Sequence, residues 1–368
     1  MRGKKRPTLA DVARHAKVST ATASRVLRNT GPVSQELRKR IESATAALGY
    51  TPRIASKQSG EGTLALLLGD LLNPYFPEVV RGVQEEADNY GLTLTMYNMT
   101  DHPLRQRQLL RKLSKPPVEG VILTGTSPFP ELLEWQQHHK IPLVLLNRRV
   151  SQPGVHCIVV DFENAMYRAT QHLLSLNHTR IGHLASPSTG EIAQARRRGI
   201  EAALTEAGLT LPPEWCPIVP PGTEVEGGFQ AMRALLDLPC NERPTAVIAF
   251  NDIIALGALH AVRACGLCVP QNISVVGADD IAIAAHAHPP LTTIGQPKYR
   301  MGKLAVQTLR RMSEGRISPG NNCTLLESPL IVRESTASAL STDSVSNRPS
   351  ALQFPEPSAQ GNGHDHRR

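Results

Sequence analysis

The chain has 368 residues, of which 40% are hydrophobic and 20% are charged, a composition typical of a globular protein with two or three packed domains. Its charge is uneven, because residues 1–60 carry 13 Lys and Arg against 3 Asp and Glu, whereas the remaining residues carry 27 against 29. A localised positive field attracts a polyanion, so nucleic acid is the favoured partner. The basic run 4–6 alone would indicate only a solvated end, but basic residues continue through a patterned segment.

The sequence argues against secretion, membrane insertion and metal chemistry. Its first residues lack the apolar core of a signal peptide, and no apolar run approaches the roughly 20 residues that span a bilayer, so we expect a cytoplasmic protein. Six scattered cysteines in a reducing compartment predict buried thiols rather than a disulfide framework. The pair Cys265 and Cys268 and the tail histidines His364 and His366 lack the further ligands of a metal site, so we expect no metal and no cofactor.

The first 52 residues have the pattern of three short helices. Thr8, with an acidic residue three positions later, predicts a capped helix over about 8–15. Ser19 caps a second helix, and Ser34 caps a third helix that ends before Pro52. The second helix turns its apolar side inward and leaves a face of small and basic residues that suits a DNA groove, namely Thr20, Ala21, Thr22, Ser24, Arg25 and Arg28.

Composition divides the chain into four segments. Residues 1–52 form the helical headpiece, and the polar stretch 53–62 is a hinge or linker. Residues 63–337 form the core. Residues 338–368 are rich in Ser, Pro, Asn, Gly and His and are predicted to be disordered.

Within the core, strand-like apolar runs alternate with amphipathic helices, two of which begin near residues 76 and 103. This alternation is typical of parallel sheets with helices on both faces. About ten strands are too many for one ordinary sheet, so two α/β lobes are predicted. The predicted strands cover 64–68, 92–97, 118–123, 143–146, 157–160, 181–185, 246–250 and 273–276.

Short motifs over about residues 7–337 resemble those of the LacI/GalR family of bacterial repressors. They include Thr8-Leu9-Ala10-Asp11-Val12-Ala13, Val18-Ser19-Thr20-Ala21-Thr22, Leu48-Gly49-Tyr50-Thr51-Pro52, Asn73-Pro74-Tyr75-Phe76, His178-Thr179-Arg180-Ile181-Gly182, Asn251-Asp252, Pro290-Leu291-Thr292-Thr293-Ile294 and Arg333-Glu334-Ser335-Thr336. The resemblance implies a helix-turn-helix DNA headpiece, a hinge helix and a two-lobed α/β core resembling periplasmic sugar-binding proteins. It also implies that the core dimerises and closes around an effector.

The family's base-reading positions fall on Thr20, Ala21 and Arg25. An arginine here can donate two hydrogen bonds to a guanine, and the methyl groups of Thr20 and Ala21 can meet a thymine methyl. The alternative for Arg25 is a contact with a phosphate. Helix capping and phosphate contacts, which fix the register without reading bases, are assigned to Ser19, Thr22 and Ser24.

The hinge departs from the family pattern. The family usually has a leucine that wedges into the minor groove and kinks the DNA, but Ser59 stands at that position in this chain. A serine cannot replace an apolar wedge. Whether this chain kinks the DNA and forms a hinge helix is therefore left open by the sequence. Lys57 can still reach a phosphate or the minor groove.

Polar and aromatic residues follow the predicted strands, at the ends where open α/β sheets bind ligands. Asn and Asp acceptors, an Arg donor and aromatic rings suit a polyol, so we expect a sugar or a sugar derivative. The alternatives are helix packing for the aromatic residues, a loop or helix cap for the aspartate and a solvated charge run for the arginine. The candidates are Asn73, Tyr75, Phe76, Asn164, Asn251 and Asp279, and the resemblance adds Arg196.

Together these features predict a homodimeric repressor of a carbohydrate-utilisation operon, which binds a near-palindromic operator in double-stranded DNA on the bacterial nucleoid. A sugar-like effector would control its operator affinity, as inducer or as co-repressor. The alternative of a transport component predicts a signal peptide and the absence of a basic headpiece, and the sequence fits neither expectation. An enzyme would need a catalytic constellation, which the adjacent Asp279 and Asp280 do not supply, so no catalytic residue is predicted. A tetramer is less favoured, because the tail lacks an apolar heptad repeat.

Overall fold

The computed structural model describes residues 8–27, 34–48, 62–99, 102–115, 118–125, 128–186, 190–220, 224–317 and 322–339. Its helices are α1 (Leu9–His15), α2 (Thr20–Leu27), α3 (Gln35–Leu48), α4 (Phe76–Asn89), α5 (Pro103–Ser114), α6 (Pro130–His139), α7 (Phe162–Ser175), α8 (Glu191–Glu206), α9 (Glu224–Leu236), α10 (Asp252–Ala264) and α11 (Lys298–Ser313). Its strands are β1 (Thr63–Leu68), β2 (Thr93–Asn98), β3 (Gly120–Thr124), β4 (Leu143–Leu146), β5 (Val155–Val160), β6 (Ile181–Leu184), β7 (Ala246–Ala249), β8 (Ser274–Asp279), β9 (Thr292–Gly295), β10 (Cys323–Leu326) and β11 (Leu330–Ile331).

The headpiece helices form where the capping residues and the apolar spacing predict them. Thr8 Oγ1 accepts a hydrogen bond from Asp11 N, and the Asp11 carboxylate accepts one from Thr8 N, so a capping box begins α1. Val12, Val26 and Ile41, one from each helix, belong to one buried cluster. This shared core confirms the prediction of a three-helix headpiece.

The chain divides into two compact units, Met1–Ile158 with Lys298–Cys323 and Val159–Pro297 with Thr324–Arg368. We call the sheet-containing parts of these units the first lobe and the second lobe. Each lobe has its own sheet with helices packed against it. The prediction of two α/β lobes is therefore confirmed.

The sheet of the first lobe has the strand order β10-β5-β4-β3-β1-β2, and the pairings from β5 to β2 are parallel. Its central strands β1, β3 and β4 are almost entirely buried. A parallel strand covered on both faces needs apolar side chains at successive positions rather than at alternate ones. This requirement explains the run Leu-Ala-Leu-Leu-Leu within β1.

The sheet of the second lobe has the order β11-β9-β8-β7-β6, in which β6 to β9 are parallel and β11 is antiparallel. Its core joins apolar residues of α7 and α8 to those of the central strands, including Met166, Ile200, Ile248 and Val276. The parallel strands place their carboxyl ends at one edge of the sheet, where the residues discussed below lie.

The predicted strands are confirmed with ends that differ by a residue or two, or by three at the end of β8, and the helices predicted near 76 and 103 begin at Phe76 and Pro103. The strands β9, β10 and β11 were not predicted. β9 and β10 contain polar residues, and β11 has only two residues, so none of them is the continuous apolar run that identified the equally short β4 and β7.

Candidate functional site

The helix α2 is the candidate DNA-reading element. Ser19 precedes it and accepts a hydrogen bond from Thr22 N through Oγ at 3.1 Å, which confirms Ser19 as a helix cap. Ser19 Oγ also lies 2.7 Å from Thr22 Oγ1. The side chain of Thr20 at the first position of α2 is exposed. Ala21, Ser24 and Arg25 lie within this helix, whereas Arg28 and Lys57 lie outside the described residues.

In the first lobe, the aromatic pair Tyr75 and Phe76 lies beyond the carboxyl end of β1 and is buried. The two rings are T-shaped, with centroids 5.2 Å apart. Asn147, directly after β4, donates from Nδ2 to Tyr75 Oη at 3.2 Å, and Tyr75 Oη donates to Met301 Sδ at 3.6 Å. These contacts show that packing within the lobe accounts for much of the burial of Tyr75. This result agrees with helix packing, the alternative to effector binding for the aromatic residues.

Asn73 organises the same turn. Its Oδ1 accepts a hydrogen bond from Tyr75 N at 2.9 Å, and this bond supports the backbone turn that leads into α4. The ring of Phe76 lies against Gly125, after β3, where a Cβ atom would come within 2.4 Å of Phe76 Cζ. The carboxyl ends of β1, β3 and β4 therefore bring together Asn73, Phe76, Gly125 and Asn147, of which sequence reasoning missed the last two.

In the second lobe, Arg196 of α8 is buried and lies between two aromatic rings. Its guanidinium carbon is 4.4 Å from the centroid of Phe162 and 4.3 Å from that of Phe250. Its Nη2 lies 3.5 Å from Asp279 Oδ1. The solvated-charge alternative is wrong for Arg196, but it describes Arg197 and Arg198, whose exposed side chains pair with glutamates on the surface.

Asp279 ends β8 in an unusual backbone conformation. Its φ is 132°, and that of Asp280 is 53°, both in the region that favours glycine. The Asp279 carboxylate accepts a hydrogen bond from Gln296 Nε2 at 2.5 Å in addition to its ion pair, while Asp280 accepts one from Arg333 Nη2 at 2.6 Å. Two anchored side chains thus hold a strained turn at the carboxyl edge of the sheet.

A second carboxylate lies beside this turn. Asp252 begins α10, is fully buried, and accepts hydrogen bonds from Ile281 N at 2.9 Å and from Thr293 Oγ1 at 2.5 Å. Burial, followed by the nearby charge of Asp279, raises the pKa of Asp252 to about 7. The protonation of this group therefore changes within the physiological range.

A buried histidine lies near the arginine. His183 of β6 places its Nδ1 2.8 Å from Ile248 O. Burial lowers its pKa to about 4, and the charge of Arg196 adds to this effect. Near neutral pH His183 is therefore uncharged, so it does not repel the Arg196 guanidinium as a second cation would.

The structure separates the remaining second-lobe candidates by role. Asn251 is buried, and its Oδ1 accepts a hydrogen bond from Ile254 N at 2.9 Å, which caps α10. Asn164 has an exposed side chain on the first turn of α7, and its backbone N–H donates to Asp161. Of the second-lobe candidates, the structure thus brings together only Arg196 and Asp279 as an ion pair. Sequence reasoning missed Phe162, Phe250 and Gln296 as their neighbours, although Phe250 and Gln296 directly follow strands.

Within the described ranges, no three His, Cys, Asp or Glu side chains are grouped as a metal site would require. In the same part of the chain, no helix is long and apolar enough to cross a membrane. The cysteines are free, as expected, but Cys240, Cys265 and Cys268 are exposed rather than buried. That expectation was wrong for these three because they lie in the turns that follow α9 and α10, outside the core.

Comparison with known proteins gives consistent matches along the chain. The pattern of bacterial regulatory proteins of the LacI family matches residues 8–53, and that of the periplasmic binding protein-like domain matches residues 170–336. The HTH-type transcriptional repressor CytR of Escherichia coli (strain K12) is 33% identical over 343 residues, which cover 91% of this chain and 99% of CytR.

Two solved structures are similar over most of the chain. The complex of the transcriptional regulator CelR with cellobiose has a TM-score of 0.68 and 29% identity, and the match covers 90% of this chain and 100% of CelR. The lac repressor dimer bound to operator and the anti-inducer ONPF has a TM-score of 0.66 and 28% identity, with coverage of 90% and 100%. The similarity thus extends over the headpiece and the core together.

Proposed function

This chain belongs to the LacI family of bacterial regulatory proteins, and we propose that it is a transcription repressor that binds a near-palindromic operator as a homodimer. A small polar effector would set its operator affinity. The observation that carries this proposal is the occurrence, in one chain, of a basic helix-turn-helix headpiece and a lobe with a buried arginine–aspartate pair at its strand ends. Neither a transport component nor an enzyme needs both.

We assign DNA reading to α2. Arg25 would donate to guanine O6 and N7, and Thr20 and Ala21 would contact a thymine methyl. Phosphate contacts would fix the register of the helix, and we assign them to Ser19, Thr22, Ser24 and Arg28, with Lys57 in the hinge. A DNA partner would require the protein to act on the nucleoid in the bacterial cytoplasm.

We assign effector contacts to residues of each lobe. Asn73, Tyr75 and Phe76 would contribute from the first lobe, and Asn164, Arg196, Asn251 and Asp279 from the second. The side chains of Arg196 and Asp279 supply a donor and an acceptor beside two aromatic rings, a combination that suits a hydroxylated ligand with an apolar face. CelR, a similar protein, binds cellobiose, which supports a sugar-like effector and control of a carbohydrate operon.

The effector would act by binding one conformation of the protein better than another. A differential affinity of about 1–3 kcal/mol changes operator affinity roughly 5- to 150-fold, which is enough to switch a promoter. We assign no catalytic role to Asp279 and Asp280. Each carboxylate is already paired with an arginine, Asp279 with Arg196 and Asp280 with Arg333.

The test is selection of bound sequences from random DNA by the full chain, followed by operator binding in the presence of a panel of sugars and nucleosides. We expect enrichment of one near-palindrome and a change in affinity with one class of compound. Failure to enrich any palindrome would overturn the repressor assignment. A response to nucleosides alone would replace the sugar with a nucleoside and leave the repressor in place.

A further inference from the structure

The first lobe contains two cysteines on neighbouring strands. Cys157 is in β5 and Cys323 begins β10, and these two strands are hydrogen-bonded neighbours in the sheet. The N–H of Cys157 donates to Asn322 O at 2.7 Å. Both thiols are free.

The register places these cysteines opposite each other. Both strands run from the first unit into the second, since residues up to Ile158 and Cys323 belong to the first unit and those that follow belong to the second. The strands are therefore parallel, and an N–H that bonds to Asn322 O places Cys157 beside Cys323. Neighbouring strands are about 4.8 Å apart, within the roughly 4.4–6.8 Å between Cα atoms that a disulfide spans.

The two sulfur atoms also lie on the same face of the sheet. Val150 N donates to Cys157 Sγ at 3.3 Å, and Arg149 Nη1 donates to Cys323 Sγ at 3.6 Å. Because Arg149 and Val150 are adjacent residues of one loop, the two sulfurs face the same segment. Among the described strands of this sheet, β10 lies at the edge, with β5 as its neighbour.

The two thiols differ in access to solvent. Cys157 is buried, and Cys323 is half-buried. Burial raises the pKa of Cys157, and the neighbouring Cys323 adds to the rise, while a hydrogen bond from the Val150 backbone and the charge of Arg149 oppose it. Cys323 is therefore the thiol that a dissolved oxidant meets first, and the less accessible Cys157 reacts in the second step.

We propose that Cys157 and Cys323 form a reversible disulfide when the protein meets a low-molecular-weight disulfide. The Cys323 thiolate attacks one sulfur of the reagent, which releases one thiolate and leaves a mixed disulfide on Cys323. Cys157, after losing its proton to water, then attacks Cys323 Sγ and releases the second thiolate. In total, two cysteine thiols are oxidised and one reagent disulfide is reduced to two thiols.

The position of the pair gives the disulfide a structural consequence. Cys157 lies one residue before the end of the first unit on β5, and Cys323 is the last residue of that unit on β10. The bond would tie together two chain segments at the points where both leave the first unit. It would also close a long loop, the situation in which a cross-link stabilises a fold most in the chain-entropy model. This inference does not depend on the proposed function.

The full chain is incubated with oxidised glutathione, alkylated, digested without reductant and analysed by mass spectrometry. We expect a peptide pair linked through Cys157 and Cys323 that dithiothreitol separates. Cys323→Ser, a substitution at a half-buried edge position, should abolish the link, and so should Cys157→Ser. The matched control Cys265→Ser with Cys268→Ser, which removes the exposed pair, should keep it.

Thermal unfolding gives a second readout. Oxidation should raise the Tm of the parent chain and of the control by about 5–10 °C, reversibly with dithiothreitol, and should leave that of Cys323→Ser unchanged. The proposal is overturned if the oxidised parent chain contains only glutathione adducts or a link between Cys265 and Cys268. It is equally overturned if the Tm shift persists in Cys323→Ser.

Discussion

Asp252 shows how a single buried group makes stability depend on pH. Its folded-state pKa of about 7 lies above the ordinary value near 4 because burial and Asp279 both disfavour the charged form. Between these values the folded chain holds a proton that the unfolded chain has released. The contribution of Asp252 to stability is therefore lost as the pH rises from about 4 to about 7.

We expect Asp252→Asn to remove this loss. As the pH rises from 5 to 8, the unfolding free energy of the variant should increase by about 3 kcal/mol relative to that of the parent chain. This change is expected whatever the absolute stability of the variant. Urea unfolding at a series of pH values measures the difference. Asp237→Asn, at an exposed position on the surface, is the control and should follow the parent curve. If the difference in unfolding free energy between Asp252→Asn and the parent chain did not change with pH, the raised pKa assigned to Asp252 would be contradicted.

Arg25 is the residue on which base reading depends in our proposal. Arg25→Ala should lose about 1–3 kcal/mol at one base pair per half-site and should bind all bases at that position alike. Affinities for the selected operator and its single-base variants measure this. Arg14→Ala, at an exposed position of α1, is the control and should retain the base preference. If Arg25→Ala bound every sequence more weakly by the same factor, Arg25 would be assigned a phosphate contact instead.

Helix packing in the first lobe depends on glycines that let two backbones approach closely. A Cβ atom built on Gly302 of α11 would lie 2.2 Å from Val79 O of α4, and one on Gly82 of α4 would lie 2.1 Å from Tyr299 O of α11. Real Cβ atoms do not come this close to a carbonyl oxygen. The helices must separate if either glycine gains a side chain.

Gly302→Ala should therefore destabilise the protein although alanine favours the helix. Overpacking costs about 1–3 kcal/mol, which exceeds the gain in helix propensity of roughly 1 kcal/mol. Denaturant unfolding measures the change. Arg300→Ala, at an exposed position of the same helix, should leave stability within about 0.5 kcal/mol of the parent value. A stabilised Gly302→Ala would show that α4 and α11 do not pack as described.

The two compact units are joined by three chain connections. The chain passes from one unit to the other after Ile158, Pro297 and Cys323. Each lobe has its own sheet with buried strands. In the proposed repressor, an effector that binds one conformation of the chain better than another would change operator affinity through linkage.

In the proposed repressor, two chains bind one operator. Titration of the selected palindrome should saturate at two chains per duplex, and a single half-site should bind far more weakly because it loses half of the contacts. Sedimentation of the complex measures the stoichiometry. Saturation at one chain per palindrome would contradict the dimer and leave the base-reading assignments to be tested separately.

The headpiece was predictable from sequence because short-range interactions determine its form. The Thr8 capping box and the caps at Ser19 and Ser34 each join residues three apart, and the apolar positions of each helix repeat at its own period. The same reasoning identified the long buried strands of both lobes. The motifs that resemble the LacI/GalR family were likewise visible as runs of adjacent residues.

Contacts between residues distant in sequence required the folded structure. The burial of Arg196 between Phe162 and Phe250, its pairing with Asp279, and the placement of α11 in the first lobe depend on strand order and on where the chain changes lobe. A local pattern gives the period and the ends of an element, but not its neighbours. Sequence thus determined the kind of headpiece and core, and tertiary packing determined which side chains meet at the strand ends, since those contacts are made between elements.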